Sequence, residues 1–595
     1  MLAQEYSASS IFGHNDYEQP VPFYTAYHHQ VGFIEADVFL HKQRLMVAHS
    51  RMQIKPENTL EKLYLEPLKK AIDENDGFVY PDSSKKLTLM VDLKTEGVTT
   101  LDALVKLLKK YPSLIACPTL QVAISGNVPD TSLWSQFPNF IYFDGRPGID
   151  YNDNQLKRIC LISDNFRNYA KWNGRGVPTA QEREKVNAIV NETHSKGKQI
   201  RFWAVPDFSN AWIQLMKLNV DILNTDNVSA LKEFIANFTN STFYNTSPHK
   251  VYTPQHQAEK EQTPKNIILM IGDGMGLAHL YGSYTANGGK LNIFNIKDIG
   301  FSITSAADAY NTDSAAGGTA LAIGQKTNCR HISVDTTGTP FPSIAELLKK
   351  NGYNTALITS GDIIDATPAA FYAHQSERNL TDGIVSDLLL SNSDILIGSG
   401  MKHFKTTSQN DNLLNNFRNK NYFITESIDS LINADSDRIL VLDEKASVSI
   451  SSGRGDFLTK ALQFGLKTFS ASSDPFFIML ESAQIDWGGH GKDMEYVVQE
   501  TLDFDRVVGE AMRFVDESKE TLIIVTSDHE TGGLSLFDGD ESKGYIQGHF
   551  STEDHTGVPV PVFAYGAGSE LFRGVYQNTA IYQKIFELLK GDLHK

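Results

Sequence analysis

Lys265-Asn266-Ile267-Ile268-Leu269-Met270-Ile271-Gly272-Asp273-Gly274-Met275-Gly276 is an apolar run that stops at a glycine-rich turn carrying one aspartate. Apolar residues without alternation describe a strand buried on both faces, the condition of a parallel sheet covered by helices on each side. Two further runs share the design. Phe476-Phe477-Ile478-Met479-Leu480 ends in Glu481 with Asp486 and His490 beyond it, and Leu522-Ile523-Ile524-Val525-Thr526 leads to Asp528-His529. Open α/β sheets bind their ligands at the carboxyl ends of the strands. Asn311-Thr312-Asp313-Ser314-Ala315-Ala316-Gly317-Gly318-Thr319-Ala320 supplies a serine followed by nothing larger than threonine. Small neighbours leave a ligand room at the hydroxyl and suit a turn into a tightly packed helix. Acids and histidines on one sheet edge beside such a serine predict metal-assisted chemistry at that serine.

At 595 residues the chain is expected to hold more than one domain. Its formal net charge of −17 argues against nucleic acid or an anionic membrane surface as partner. Cys117, Cys160 and Cys329 are too few and too scattered for a disulfide framework or a cysteine metal site, and read as small buried hydrophobes. No apolar stretch reaches the length of a membrane span. Met1 to Phe12 shows no basic segment followed by an apolar core, so no signal peptide is visible. Nothing in the sequence sets the oligomeric state.

The first 235 residues alternate short apolar runs with helical stretches such as Leu101 to Lys110 and Gln181 to Lys196, the rhythm of a (β/α)8 TIM-type barrel. In Gly32-Phe33-Ile34-Glu35-Ala36-Asp37-Val38, Glu35 and Asp37 are two apart and share a face, as do Asp92 and Lys94 in Leu89-Met90-Val91-Asp92-Leu93-Lys94. Paired acids on an apolar strand mark either a solvated edge or a hard-cation site. Residues 236–263 turn polar and are punctuated by Pro248 and Pro254, which reads as a linker. The second domain is expected over 264–595, with the Asn-, Asp- and Ser-rich part of the region from Ser399 to Asp474 as a surface insertion.

At these residues two resemblances become explicit. From Lys265 onward the chain resembles the alkaline phosphatases, on Gly272-Asp273-Gly274-Met275-Gly276, Thr312-Asp313-Ser314-Ala315-Ala316, Asp365-Ala366-Thr367-Pro368-Ala369-Ala370, Glu481 through His490, Asp528-His529-Glu530-Thr531-Gly532-Gly533 and His555-Thr556-Gly557, all in the family's order. The resemblance implies an α/β/α sandwich that hydrolyses small phosphate esters, and an exported protein, periplasmic or secreted. It implies a first zinc held by Asp486, His490 and His555, and a second by Asp273, Asp528 and His529 with Ser314 as nucleophile. It further implies a magnesium completed by Thr367 and Glu481, with Asp365 orienting a water of that ion, and Arg378 as the substrate arginine. Trp487 stands where some bacterial members carry lysine.

In the first domain, His14-Asn15-Asp16, Glu35-Ala36-Asp37, His49 and Asp92-Leu93-Lys94 resemble the glycerophosphodiester phosphodiesterase and phosphatidylinositol phospholipase C superfamily. By that resemblance Glu35, Asp37 and Asp92 hold a calcium or magnesium ion, His14 and His49 act as acid and base, and Lys94 and Asn15 face substrate. Asn15 replaces the arginine usual beside the first histidine, which points away from simple glycerophosphodiesters. Two readings of the barrel stand: a phosphodiesterase that feeds the phosphatase, or a non-catalytic binding or targeting module. A sulfatase reading of the second domain is poor, because Ser314 is followed by Ala315-Ala316-Gly317 rather than the Cys-x-Pro-x-Arg pattern.

Overall fold

The structure is a computed structural model that describes residues 5–255, 263–405, 410–433 and 436–589. The chain divides into two compact units, Met1–Thr239 and Asn240–Lys595.

In the first unit eight parallel strands follow one another around a barrel: Ile11–Gly13, Phe33–His41, Leu87–Leu93, Leu120–Gly126, Ile141–Gly145, Ile159–Asn165, Ile200–Trp203 and Leu223–Thr225. The last strand pairs with the first, and a bridge between Arg201 and Ile222 brings the remaining edges together. Strand alternation divides the work. Ile34, Ala36 and Val38 point outward to the helices, whereas Phe33, Glu35 and Asp37 point inward. Phe12, Phe33, Met90, Ala123, Leu161 and Ile222 fill the lower barrel, so the polar residues above them stand on an apolar floor. Asp37 lies opposite Asp92, and Asp92 opposite Ser125. At the end of its strand Gly126 has φ +71°, and a Cβ there would meet Asp92 Oδ1 at 2.3 Å and the Leu93 backbone carbonyl at 2.6 Å.

The second unit is a ten-stranded sheet between two helical layers. Its three central strands, Phe476–Ser482, Asn266–Gly272 and Thr521–Thr526, are parallel neighbours in register and are the three apolar runs of the sequence. Ile267, Leu269 and Ile271 pack into one core with Leu321 and Ala322, and Ile268 and Met270 into the other with Val498 and Phe504. Burial on both sides is what the lack of alternation predicted. Val560–Gly566 is the antiparallel member, pairing with both Thr521–Thr526 and Asp298–Ile303.

Two expected boundaries shift. The first unit runs past 235 because the helix Val228–Phe238 packs on the barrel, and part of the expected linker is ordered in the second unit, where Thr242–Tyr244 pairs with Tyr545–Gln547. Residues 256–262 of that linker lie outside the described residues. The region from Ser399 to Asp474 is more than a surface excursion. Phe423–Thr425 and Ile439–Leu442 extend the sheet edge, the helix Phe457–Ser470 covers one face, and buried Arg454 pairs with Glu500 and Asp503. Its polar composition belongs to the loops and to the helix Asn410–Asn419; residues 406–409 lie outside the described residues. No helix among the described residues is long and apolar enough to cross a membrane.

Gly126→Ala is expected to destabilise the first unit by more than about 1 kcal/mol, since it combines a positive φ with a backbone clash. Urea unfolding of the full chain checks this, and an unchanged first-unit midpoint would contradict it.

Candidate active sites

In the second unit Ser314 is the first residue of the helix Ser314–Ile323, every residue of which is buried. Asp313 caps that helix by accepting from the Ala316 amide at 3.0 Å. The cap turns the serine towards the sheet edge, where its Oγ lies 3.3 Å from His529 Nε2. His529 Nε2 is in turn 3.4 Å from Asp528 Oδ2 and 3.5 Å from Asp273 Oδ1. Beside this group Asp486, His490 and His555 converge: His490 Nε2 is 3.3 Å from Asp486 Oδ2, and His555 Nε2 is 3.5 Å from Asp486 Oδ1. Each trio presents ligand atoms within 4.8 Å of one another. The turn after the opening strand makes this approach possible. Gly274 has φ +72°, and a Cβ there would press on Asp486 Cα at 2.8 Å.

The donor sets fit divalent cations. Asp273 Oδ1 and Asp528 Oδ2 are buried and accept no hydrogen bond from the described residues, an arrangement that costs free energy unless a cation completes it. His490 Nδ1 and His555 Nδ1 face the carbonyls of Glu553 at 2.5 Å and Thr312 at 2.7 Å, which leaves both Nε2 atoms free to ligate. The electrostatics agree. Burial, then the charges of Asp528, Asp486 and Glu481, drives Asp273 well above the usual carboxylate range. Burial pushes Asp528 up to about 6 and Glu481 up to about 8. Burial, then His555, holds His529 well below the usual histidine range. For Asp486 burial is outweighed by His490 and His555, which hold its carboxyl down.

A third oxygen-rich position lies on the other side of Asp273. Thr367 Oγ1 donates to Asp273 Oδ2 at 3.4 Å, and Glu481, at the end of its strand, accepts from Thr359. Asp365 caps the short helix Ala366–Ala369 and takes one arm of Arg378 at 3.0 Å; the other arm reaches Asp313 at 3.3 Å. The guanidinium is thereby tied to the residue preceding the serine. Three contributors went unassigned in the sequence: Asp313, Thr359 and Thr531, the last donating to Asp486. Asp313 had a readable signal, an acid at the N-cap of a small-residue helix.

The barrel gathers its own candidates at the carboxyl ends of its strands. Glu35, Asp37 and Asp92 form a third trio within 4.8 Å. His14 Nε2 is 3.6 Å from Glu35, and its Nδ1 is 2.7 Å from Asp226. Burial opposes charge on His14, but Asp226 and Glu35 raise its pKa. His49 Nδ1 is 3.5 Å from Asp37. Lys94 sits between the acids, 3.0 Å from both Asp37 and Asp92, so its ammonium is committed to them. Asn15, in the left-handed region, faces His14 and accepts from Tyr17 at 2.9 Å. Asp16 leaves the site altogether: it is buried and accepts from Tyr64 and the Phe23 amide. Sequence reading passed over Tyr17, whose hydroxyl also reaches Asp37 at 2.8 Å and His49 at 3.1 Å, and Arg201, stacked 3.5 Å over Phe12 and 3.8 Å from Glu35.

Comparison with known proteins divides the chain in the same way. The alkaline phosphatase family pattern matches residues 264–547, and an AIM6-like phosphodiesterase domain matches residues 2–113. Alkaline phosphatase 4 of Bacillus subtilis is 29% identical over 412 residues, covering 55% of this chain and 89% of that protein. Streptomycin-6-phosphate phosphatase of Streptomyces griseus is 28% identical over 399 residues, covering 53% and 89%. The alkaline phosphatase of the Antarctic bacterium TAB5 is 36% identical, with a TM-score of 0.53, covering 56% of this chain and 99% of that one. A mutant of the TAB5 enzyme carries Mg in its M3 site.

Thr531→Val is expected to weaken divalent-metal binding in the second unit by about 10- to 100-fold, the usual cost of losing a partner that orients a ligand. Competition against a chromogenic chelator measures this; unchanged affinity would remove Thr531 from the site.

Proposed function

The chain belongs to the alkaline phosphatase family, and we propose that Ser314 of its phosphomonoesterase half attacks the phosphorus of a monoester to give a phosphoserine that water then hydrolyses. The observation that carries this reading is the Ser314 hydroxyl on a buried helix start beside the two three-residue donor sets. By donor chemistry we assign zinc to Asp486, His490 and His555 and to Asp273, Asp528 and His529, and magnesium to the oxygen set of Asp273, Thr367 and Glu481. When bound, such ions stabilise the attacking and leaving oxygens and activate water. The chain's own part is positional. Asp313 fixes the helix start, the Thr312 carbonyl and Thr531 orient His555 and Asp486, and Arg378 offers a fork to two non-bridging phosphate oxygens. The Ser314 hydroxyl gives up its proton to solvent, its Oγ–P bond forms as the P–O bond to the alcohol breaks, and the departing alkoxide takes a proton from solvent.

For the phosphodiesterase-like barrel we propose cleavage of a phosphodiester to the monoester that the second unit consumes, with Glu35, Asp37 and Asp92 holding calcium or magnesium and His14 and His49 as acid and base. A phosphate-scavenging role, periplasmic or secreted, suits a pair of activities ending in free phosphate. One observation favours the alternative of a non-catalytic binding barrel: the Lys94 ammonium already compensates two of the three acids.

Ser314→Ala is expected to lower monoesterase kcat by at least about 10³-fold, the scale for removing a nucleophile that works as part of a unit. Near-normal turnover on an aryl phosphate would remove the covalent route. Chelation is expected to abolish the same activity, with zinc plus magnesium restoring it. Arg378→Ala should cost about 2–3 kcal/mol in kcat/KM, as for a lost charged contact. With a diester substrate, the Ser314→Ala protein should accumulate monoester, whereas Glu35→Ala with Asp37→Ala should keep monoesterase activity and release no phosphate from the diester. If no diester is cleaved with calcium, magnesium or manganese, the binding-barrel alternative takes over.

A further inference from the structure

One buried carboxylate beside the two donor sets of the second unit has no part in the chemistry described so far. Glu530 stands one residue beyond His529 and is 5% exposed. A carboxylate taken out of water needs donors for both oxygens. Glu530 finds them in neutral groups: Oε2 accepts from the Thr556 hydroxyl and from the Gly533 amide at 3.2 Å, and Oε1 from the Leu534 amide at 3.2 Å. His279 Nδ1 lies 4.0 Å from Oε1, but it accepts from the Gly276 amide at 3.2 Å and so has no proton to give.

Two further contacts tie this residue to the turn that carries Asp273. A Cβ on Gly276 would meet Glu530 Cγ at 2.4 Å, so the glycine admits the glutamate stem. The Thr531 amide donates to the Gly274 carbonyl at 3.0 Å. On its other side Glu530–Thr531 pairs antiparallel with His555–Thr556, Glu530 across from Thr556 and Thr531 across from His555. Successive side chains of a strand point to opposite faces. One face of this short ladder therefore carries Thr531 and His555, both directed at Asp486, and the other carries Glu530 and Thr556, bonded to each other.

His555 needs such a hold. Residues 551–554 before it form bends without regular structure, and Val558 beyond it is 57% exposed. The contacts that orient its ring and main chain, the Thr312 carbonyl at 2.7 Å and the Asn311 amide group at 2.9 Å, both come from the loop before Ser314. Thr556 supplies a tie in another direction, to the segment that carries His529 and rests on the Asp273 turn. The same loop gives the Glu553 carbonyl to His490 at 2.5 Å, so its placement bears on two of the three donors in that set.

We propose that Glu530 is a positioning residue for the set Asp486, His490 and His555, acting through the Thr556 hydroxyl to hold His555 in place. This rests on the reading of that set as a cation site. Three donors converge on two oxygens, which suits an acceptor-only carboxylate; a glutamine would turn its NH2 towards one of them. Orienting partners of this kind set metal affinity as well as geometry. The ladder thus joins the two donor sets mechanically: His529 and the Asp273 turn on one side, His555 on the other, with the Glu530–Thr556 contact between them.

Zinc binding to the full-length protein, measured by competition against a chromogenic chelator, tests this. Binding is expected in two phases, of which His490→Ala removes the one belonging to Asp486, His490 and His555. Thr556→Val, which replaces the hydroxyl by a methyl group, should weaken that same phase by about 10- to 100-fold and leave the other unchanged. Thr556→Ser, which keeps the hydroxyl, should bind as the wild type does. Glu530→Gln/Thr556→Val should lose no more than the worse of its two single variants, since both act through one contact. Unchanged binding in Thr556→Val, equal weakening of both phases, failure of the serine to rescue, or losses that multiply in the double variant overturns the role. Should the valine variant not fold, Glu530→Gln carries the same test, and an unchanged first phase there overturns it. If His490→Ala removes no phase, the cation-site reading fails and takes the proposal with it; if it removes one and Thr556→Val changes nothing, the role of Glu530 alone fails.

Discussion

Four carboxylates, Asp273, Glu481, Asp486 and Asp528, are buried together where three central strands end, and that concentration of negative charge is the constraint on which the second unit depends. Buried carboxylates either neutralise themselves or find a cation. Here Asp486 has two histidines, while Asp273 and Asp528 keep oxygens that nothing among the described residues satisfies. Cations resolve the conflict, and the serine hydroxyl sits at the same place. The apolar sheet below is what makes the burial severe, so the strand pattern and the chemistry have one origin.

The barrel repeats this logic at lower intensity. Its trio of acids stands on an apolar floor, yet Lys94, His14 and Arg201 already supply positive charge around it. Compensation by side chains reduces the barrel's demand for an ion. Tyr17 joins Asn15, Asp37 and His49 through one hydroxyl, so the barrel's histidine and its acid are held as a unit.

Much of this was legible in the sequence. Non-alternating runs at 266–272, 476–482 and 521–526 gave a doubly covered parallel sheet, and the two-residue spacing of Glu35 and Asp37 put both on one face, which is the inside of the barrel. The candidate ligands could be named because they lie in short motifs at strand ends. What stayed hidden depends on partners far apart in the chain. Thr359 meets Glu481 across 122 residues, and His14 meets Asp226 across 212. The strands Phe423–Thr425 and Ile439–Leu442 carry no motif and went unassigned beside the polar stretch around 406–416, although Ile439–Leu442 is wholly buried. No local pattern marks Lys94 as already paired with two acids.

The central claim is that Ser314 becomes phosphorylated during turnover. Mass spectrometry of protein quenched in acid while hydrolysing an aryl phosphate tests it directly. One phosphoryl group is expected on the peptide that contains Ser314, absent from the Ser314→Ala protein. Phosphate on another residue, or an unmodified Ser314 peptide in protein that is turning over with phosphoenzyme breakdown slowed at low pH, would contradict it.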